Sequence, residues 1–178
     1  MTVAEVRSIA DIGCGGRELE IGATERRIKY RGFDIDDGNL DTDSLPAADS
    51  NFDLVVAFAL LEHLQNPDNF LREVFRVLRP GGILFLSTPN WHFASRNFYD
   101  NPAHVQPYSP ISASVLLSAY GFQGVEVYPG VRAKSGRAYI GKWRFWRAAL
   151  RPIRGNPPLW PPFMKGRATS FFAIAQRP

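Results

Sequence analysis

Residues 8–16 read Ser-Ile-Ala-Asp-Ile-Gly-Cys-Gly-Gly, an apolar run that carries an acid near its end and breaks into a glycine turn. Residues 28–34 form a second short run that ends on Gly32-Phe33-Asp34. Short apolar runs bounded by turn signals have the pattern of strands buried in a parallel sheet. A glycine turn at one strand tip lets a ligand approach the main chain. An acid at the tip of the next strand can accept hydrogen bonds from a ribose diol. The pair therefore constrains the chain to a layered α/β fold with a nucleoside-shaped ligand lying across its strand ends.

The remaining pattern agrees. Phe52–Phe58 and Ile83–Ser87 read as further buried strands. Between them, Asp68–Leu78 places Phe70, Leu71, Val74, Phe75 and Leu78 at helical spacing. Asn66 is placed to cap this helix, Pro67 suits its first position, and Gly81-Gly82 is expected to stop it. Ser112–Tyr120 reads as a second helix ending at Gly121, and Val125–Tyr128 with Thr169–Ala175 as a closing strand pair. Strands alternating with helices predict a doubly wound, mostly parallel sheet.

Two cofactors suit such strand ends. The dinucleotide fingerprint needs a third glycine, where this chain has Glu18, and a glutamate facing a pyrophosphate is unfavourable. S-adenosylmethionine has no phosphate and carries a sulfonium cation, which an acidic rim favours.

A set of motifs in order narrows this further. Asp-Ile-Gly-Cys-Gly (11–15), Gly-Phe-Asp-Ile-Asp (32–36), the acid and Leu-Pro of residues 41–46, Phe-Asp-Leu-Val-Val (52–56), Leu-Glu-His-Leu (61–64), Val-Leu-Arg-Pro-Gly-Gly (77–82) and Ser-Thr-Pro-Asn (87–90) run along the chain. Together they closely resemble the class I S-adenosylmethionine-dependent methyltransferases, in particular the small-molecule group called type 11. The resemblance covers roughly residues 8–128. It implies a Rossmann-like methyltransferase fold with a seven-stranded type of sheet. Two departures stand out. Only six residues separate Asp34 from Asp41, and a parallel crossover needs about a dozen or more. The family's third strand, which lies at the sheet edge, is therefore expected to be vestigial or absent. The family's helices before the first strand, which lid the site, are expected to be missing.

The resemblance also implies roles. Gly13 and Gly15 would let the methionine portion of the cofactor lie against the main chain, with Cys14 a small residue that fits the turn. Asp11 would stabilise the ammonium end, and Asp34 would hold the ribose hydroxyls. Asp41 would accept from the adenine amine, and Leu45 would pack on the ring. Ala57, Phe58 and Ala59 would offer carbonyl oxygens near the methionine ammonium. Ile35 and Thr42 complete the cofactor-contacting set.

Methyl transfer to oxygen or nitrogen is an in-line displacement that needs positioning, plus a base when the nucleophile is a hydroxyl. His63, His92 and His104 all fall at or shortly after predicted strand tips. His104, in Pro-Ala-His-Val-Gln-Pro-Tyr-Ser-Pro, resembles a substrate-loop pattern of the family and is the first candidate base, with His63 the second. Glu62 could hold the acceptor or orient a histidine, and His92 reads as a pocket wall beside Trp91. No cluster has metal-ligand spacing, and no serine or cysteine triad is legible.

Charge divides the chain sharply. Residues 1–126 carry all 17 acids and 10 of the 21 Lys and Arg; residues 127–178 carry 11 Lys and Arg and no acid. Lys142–Arg151 could form a basic helix with Trp143, Trp146 and Leu150 on one side. Such a segment suits an anionic membrane surface or single-stranded nucleic acid, or it packs its tryptophans on the core. The single cysteine excludes an intramolecular disulfide. There is no signal-peptide pattern and no apolar stretch long enough to span a bilayer.

The chain is thus expected to be one domain over 1–178: a cofactor-binding core at 1–128, a basic aromatic insertion at 129–167 and a closing strand at 168–178. The expected activity is S-adenosylmethionine-dependent O-methylation of a small or lipid-linked acceptor such as a sugar, quinone or natural product. It is expected to be cytoplasmic, with peripheral contact to an anionic inner membrane surface possible. A nucleic-acid methyltransferase and a non-catalytic cofactor-binding domain stay open as alternatives.

Overall fold

The computed structural model describes residues 5–130 and 169–178. They form one six-stranded sheet flanked by helices. In chain order the elements are β1 (Ser8–Ile12), α1 (Glu18–Glu25), β2 (Lys29–Phe33), β3 (Phe52–Phe58), α2 (Pro67–Val77), β4 (Leu78–Pro89), α3 (Trp91–Ala94), α4 (Pro110–Ala119), β5 (Gln123–Pro129) and β6 (Ser170–Gln176). Short 3-10 turns stand at Ile35–Asp37, Leu61–His63 and Phe98–Asp100.

The sheet order is β2-β1-β3-β4-β6-β5. β1 pairs in parallel with β2 and β3, and β3 with β4. β6 inserts antiparallel between β4 and β5. The chain moves outward from β1 to β2, then returns past β1 to start β3. The strand order thus reverses between β1 and β3, where open α/β sheets bind ligands at their carboxyl ends. Between Phe33 and Phe52 only a 3-10 turn and loop are present, so β2 is the sheet edge among the described residues. The short spacing from Asp34 to Asp41 leaves no room for a crossover helix, as its length implied.

The core follows the pattern of the sequence. Phe70, Leu71, Val74 and Val77 turn one face of α2 inward and are fully buried. Each such side chain contributes about 1.5–3 kcal/mol by leaving water. The Asn66 side chain accepts from the Asp68 amide and Pro67 opens the helix, both as predicted. The helix end differs. It stops at Val77, and Leu78 is already extended, at φ −68° and ψ 142°. Gly81-Gly82 does not terminate the helix. It lies inside β4, where the pairing with β3 shifts register between Phe52 and Leu54. A Cβ at Gly82 would come 2.8 Å from the Arg79 carbonyl oxygen, so the glycine serves that close approach. The second helix also begins earlier than predicted, at Pro110, because Ser109 and Ser112 cap its first turn reciprocally.

The predicted Lys142–Arg151 helix, and most of the proposed 129–167 insertion, lie outside the described residues. Among the described residues no helix is long and apolar enough to cross a membrane.

Candidate functional site

β1 delivers Asp11 and Ile12 to the carboxyl edge of the sheet, and the chain turns at once through Gly13 (φ 73°) and Gly15 (φ 45°), conformations that favour glycine. The amides of Gly13 and Cys14 both donate to the Phe33 carbonyl, at 2.8 and 3.2 Å, which fastens the turn to the end of β2. A Cβ on Gly13 would stand 3.3 Å from Leu60, whereas nothing lies within 4 Å of one on Gly15 or Gly16. The turn therefore presents bare main chain to a solvent-open cleft of about 550 Å³. Asp11, Gly13, Cys14, Gly16, Glu18, Leu19 and Phe58 line it. With β1 on one side and the tip of β3 on the other, the cleft occupies the point where the strand order reverses.

Asp34 ends β2 beside this turn. Its Oδ2 accepts from the Gly15 amide at 2.6 Å and its Oδ1 from the Ile35 amide at 2.8 Å. The Cys14 thiol also lies 3.9 Å from Oδ2. A carboxylate offers about four lone-pair positions, so acceptor capacity remains for a ribose hydroxyl. Asp37 accepts from the Asp34 amide and holds the start of the 3-10 turn. Asp34 also borders a shallow depression lined by Asp37, Gly38, Leu40, Asp43, Ser44 and Leu45. Ile35 is 84% exposed beside it in sequence, an apolar side chain left without cover.

Asp11 is buried, and burial raises its pKa above the usual carboxylate value. Its partner is the Tyr30 hydroxyl, at 2.8 Å. Burial and the Asp11 carboxylate hold the Tyr30 phenol protonated well above its ordinary range. Sequence reasoning missed Tyr30. The signal lay at Gly32, where a Cβ would come 2.8 Å from Cys14 Sγ and 3.1 Å from the Tyr30 oxygen. Only a bare α-carbon there lets both side chains reach across the turn.

The other cofactor candidates fall differently. Leu45 is buried and lines the shallow depression, with its amide bound to Glu73 at 2.7 Å. Asp41 and Thr42 line neither the depression nor the cleft. The Asp41 carboxylate accepts from the amides of Asn66 and Gln65, at 3.0 and 3.4 Å, and thereby ties the loop to the start of α2. The Thr42 hydroxyl donates to Asp43. Phe58 stands at the cleft wall with its ring against Phe85 and Phe172. Ala59 adopts φ 49° and donates to the Ser87 carbonyl.

A second cluster forms past the tip of β3. Glu62 and His63 sit in the 3-10 turn Leu61–His63, and the loop 101–108 carries His104 back to them. The amides of Val105 and Gln106 both donate to the Glu62 carbonyl, at 2.9 and 3.2 Å, which sets this register. The His63 and His104 rings lie 4.9 Å apart, and His104 also rests on Phe98 at 4.7 Å. His63 Nδ1 meets the Ala103 carbonyl at 3.0 Å, and His104 Nδ1 meets the Phe98 carbonyl at 2.8 Å. A carbonyl only accepts, so each Nδ1 carries a proton and Nε2 is the ring nitrogen left to meet another group. Glu62 is 1% exposed and accepts from the Thr88 hydroxyl at 2.9 Å. Burial pushes its pKa up, against the hydrogen bonds and the two histidines. The Tyr108 hydroxyl is buried and has no hydrogen-bond partner. Burial and the charge of Glu62 raise its pKa to about 12.

Thus the fold assembles the three catalytic candidates, although His63 and His104 are 41 positions apart in the chain. It also adds Thr88 and Tyr108, which sequence reasoning passed over. His92 stays outside the cluster, exposed in α3 behind the Asn90 cap. Leu60 joins the two ends: its side chain bounds Gly13, and its carbonyl accepts the His63 amide.

Residues 4–127 match the family model described as a methyltransferase domain. A probable S-adenosylmethionine-dependent methyltransferase of Mycolicibacterium smegmatis is 35% identical over 153 residues, covering 75% of this chain and 58% of that protein. A ubiquinone biosynthesis O-methyltransferase of Caulobacter vibrioides is 32% identical over 103 residues, covering 47% of this chain and 41% of that protein. Among solved structures, a SAM dependent methyltransferase from Archaeoglobus fulgidus superposes with a TM-score of 0.66. It shares 18% identity and covers 98% of this chain and 87% of its own, which is a likeness of fold. The chain spans 58% of the length of the Mycolicibacterium relative and 41% of the Caulobacter one.

Proposed function

The chain belongs to the methyltransferase-domain family of S-adenosylmethionine-dependent methyltransferases, and from that premise we propose that it methylates an oxygen of a small or lipid-linked acceptor. The glycine-turn cleft fits the cofactor: bare main chain at Gly15 and Gly16, a carboxylate with spare acceptor capacity at Asp34, and an acid-lined wall at Asp11 and Glu18. When bound there, S-adenosylmethionine supplies an electrophilic methyl group on a sulfonium centre. Gly13, Cys14 and Gly15 would hold its methionine portion, Asp34 its ribose, and Ile35 and Leu45 its base. An acidic wall suits a cation and disfavours the phosphates of a dinucleotide.

One observation carries the choice of oxygen. Both imidazoles commit Nδ1 to a main-chain carbonyl, which leaves their Nε2 atoms beside a buried carboxylate. That arrangement is a proton acceptor with its counter-charge in place. His104 Nε2 takes the acceptor's hydroxyl proton, and Glu62 stabilises the imidazolium that forms. His63, whose ring packs against His104, holds it in position. Trp91 and Tyr99, packed on the buried Phe98, would offer an aromatic wall for the acceptor. The Caulobacter O-methyltransferase among the relatives supports oxygen as the target. The basic, aromatic sequence of residues 127–178 supports a lipid-linked or anionic acceptor met at a cytoplasmic membrane surface.

The test is turnover measured on a panel of quinone, sugar and lipid-linked hydroxyl acceptors, with and without His104→Ala. Product that carries the methyl on oxygen and disappears in the variant supports the reading. Turnover on nucleic acid, with affinity falling steeply in salt, would replace it with the nucleic-acid alternative. Cofactor binding with no product on any acceptor would favour a non-catalytic domain.

A further inference from the structure

The histidine cluster carries more than a proton acceptor. Its ligand-type atoms, one each from Glu62, His63 and His104, all lie within 4.8 Å of one another. Metal-bound imidazoles characteristically donate the second ring N–H to a carbonyl or carboxylate, which fixes the tautomer and aims the lone pair. Both rings here do so, to the carbonyls of Ala103 and Phe98. The carboxylate is anchored in the same way, by the Thr88 hydroxyl.

Charge and solvation point the same way. A carboxylate that is 1% exposed is costly unless a cation accompanies it. Among the described residues no lysine or arginine forms an ion pair with Glu62; the ion pairs there involve Glu5, Asp49, Glu73 and Asp53. Next to it the Tyr108 hydroxyl is 4% exposed in its residue and bonds to nothing. A buried carboxyl without a Lys or Arg partner and a buried hydroxyl without a hydrogen-bond partner describe a place built for a further group.

We propose that Glu62, His63 and His104 form a binding site for one divalent first-row transition metal ion, held by two Nε2 atoms and one carboxylate, with its open coordination positions toward the acceptor side. Two imidazoles and one carboxylate suit zinc, cobalt or iron(II) rather than magnesium or calcium, which prefer all-oxygen shells. The inference deepens the reading of this cluster as the acceptor-activating end of the site. The ion uses the same Nε2 lone pairs as the proposed base, so the cluster is at any moment either ion-loaded or competent to take a proton.

The full chain, stripped with a chelator, is titrated with Co²⁺ and then with Zn²⁺. The expected result is one Co²⁺ per chain with visible ligand-field absorption that Zn²⁺ abolishes. Proton NMR of the cobalt form should show two exchangeable, paramagnetically shifted imidazole N–H signals, one from each Nδ1. His63→Ala and His104→Ala should each weaken binding by roughly 10–100-fold or more, while His92→Ala leaves it unchanged. Absent cobalt absorption, fewer than two shifted imidazole signals, or unchanged affinity in both variants would overturn the site. The NMR readout needs no variant, so a misfolded mutant does not shield the proposal. Titration of the same samples with S-adenosylmethionine separates the two claims. Metal binding without cofactor binding sinks the methyltransferase reading and keeps the site, and the converse sinks the site alone.

Discussion

At the glycine-turn end of the site, in the cleft between the tips of β1 and β3, binding capacity resides in the main chain. The turn amides, the open faces of Gly15 and Gly16 and the Asp34 carboxylate are set by residues within about twenty positions of one another. At the histidine end it resides in side chains brought from Glu62 to Tyr108, and their state is set by burial. The first end is exposed, and its Asp34 already has main-chain partners at both oxygens. The second holds a buried acid bonded to Thr88 and a buried phenol that has no hydrogen-bond partner. Under the proposed function, the contrast would place recognition of a ligand shared across a family in backbone geometry, and chemistry on a particular acceptor in a loop-built cluster.

Substitution at each end should therefore affect different measurements, and the largest effect belongs to the histidine end. His104→Ala should lower turnover by roughly 10²–10⁴-fold, the usual worth of a positioned proton acceptor. Cofactor affinity, measured separately, should stay unchanged; loss of affinity would merge the two ends and end the comparison. At the other end Asp34→Ala should weaken cofactor binding by about 2–3 kcal/mol, the cost of leaving hydroxyls and the Gly15 amide unpaired. An unaltered affinity in that variant would move the ribose site elsewhere.

Gly32→Ala tests the support beneath the turn. The new methyl would press on Cys14 and on the Tyr30 hydroxyl that binds Asp11. A loss of about 1–3 kcal/mol in stability is expected from such overpacking, read by chemical denaturation. Stability equal to wild type would show that the Tyr30–Asp11 contact is dispensable.

The smallest effect is one of pH. Burial raises the Glu62 pKa above its ordinary 4.5, so the folded protein holds a proton that the unfolded chain releases. Stability contributed by the protonated acid is full below the ordinary value. It is lost as pH rises through the raised one. Glu62→Gln should remove that decline, so the difference in melting temperature between variant and wild type should grow in the variant's favour as pH rises from about 4 towards neutrality. Parallel pH profiles would mean that the carboxylate's burial carries no such cost.

The same contrast explains what could be read from the chain alone. The strand runs at 7–12, 28–34 and 52–58, the Asn66 cap and the missing edge strand rest on local pattern and chain length, and each was legible to within a residue or so. The end of α2 was not, because two glycines look like a helix stop whether they end a helix or relieve a crowded strand. Here Gly82 relieves contact with the Arg79 carbonyl. Gly13, Gly15 and Asp34 were legible as a site because their spacing is short. Tyr30 was hidden because its partner Asp11 sits on the neighbouring strand, a pairing that needs the register Ile9 to Tyr30. Thr88 and Tyr108 were hidden for a similar reason: only the fold shows that the ends of β4 and the loop after α3 meet around Glu62. Asp41, assigned to the cofactor by motif position, also holds the amides of residues 65 and 66, a role that motif position did not show.

The central claim is that the glycine-turn end takes S-adenosylmethionine and that the histidine end acts without holding it. Calorimetric titration of the chain and of His104→Ala with S-adenosylmethionine, S-adenosylhomocysteine and NAD tests it most directly. Equal, saturable binding of the two sulfur nucleosides by both proteins, with no heat from NAD, is the predicted result. Binding of NAD, or no binding of either sulfur nucleoside by the wild-type chain, would contradict it.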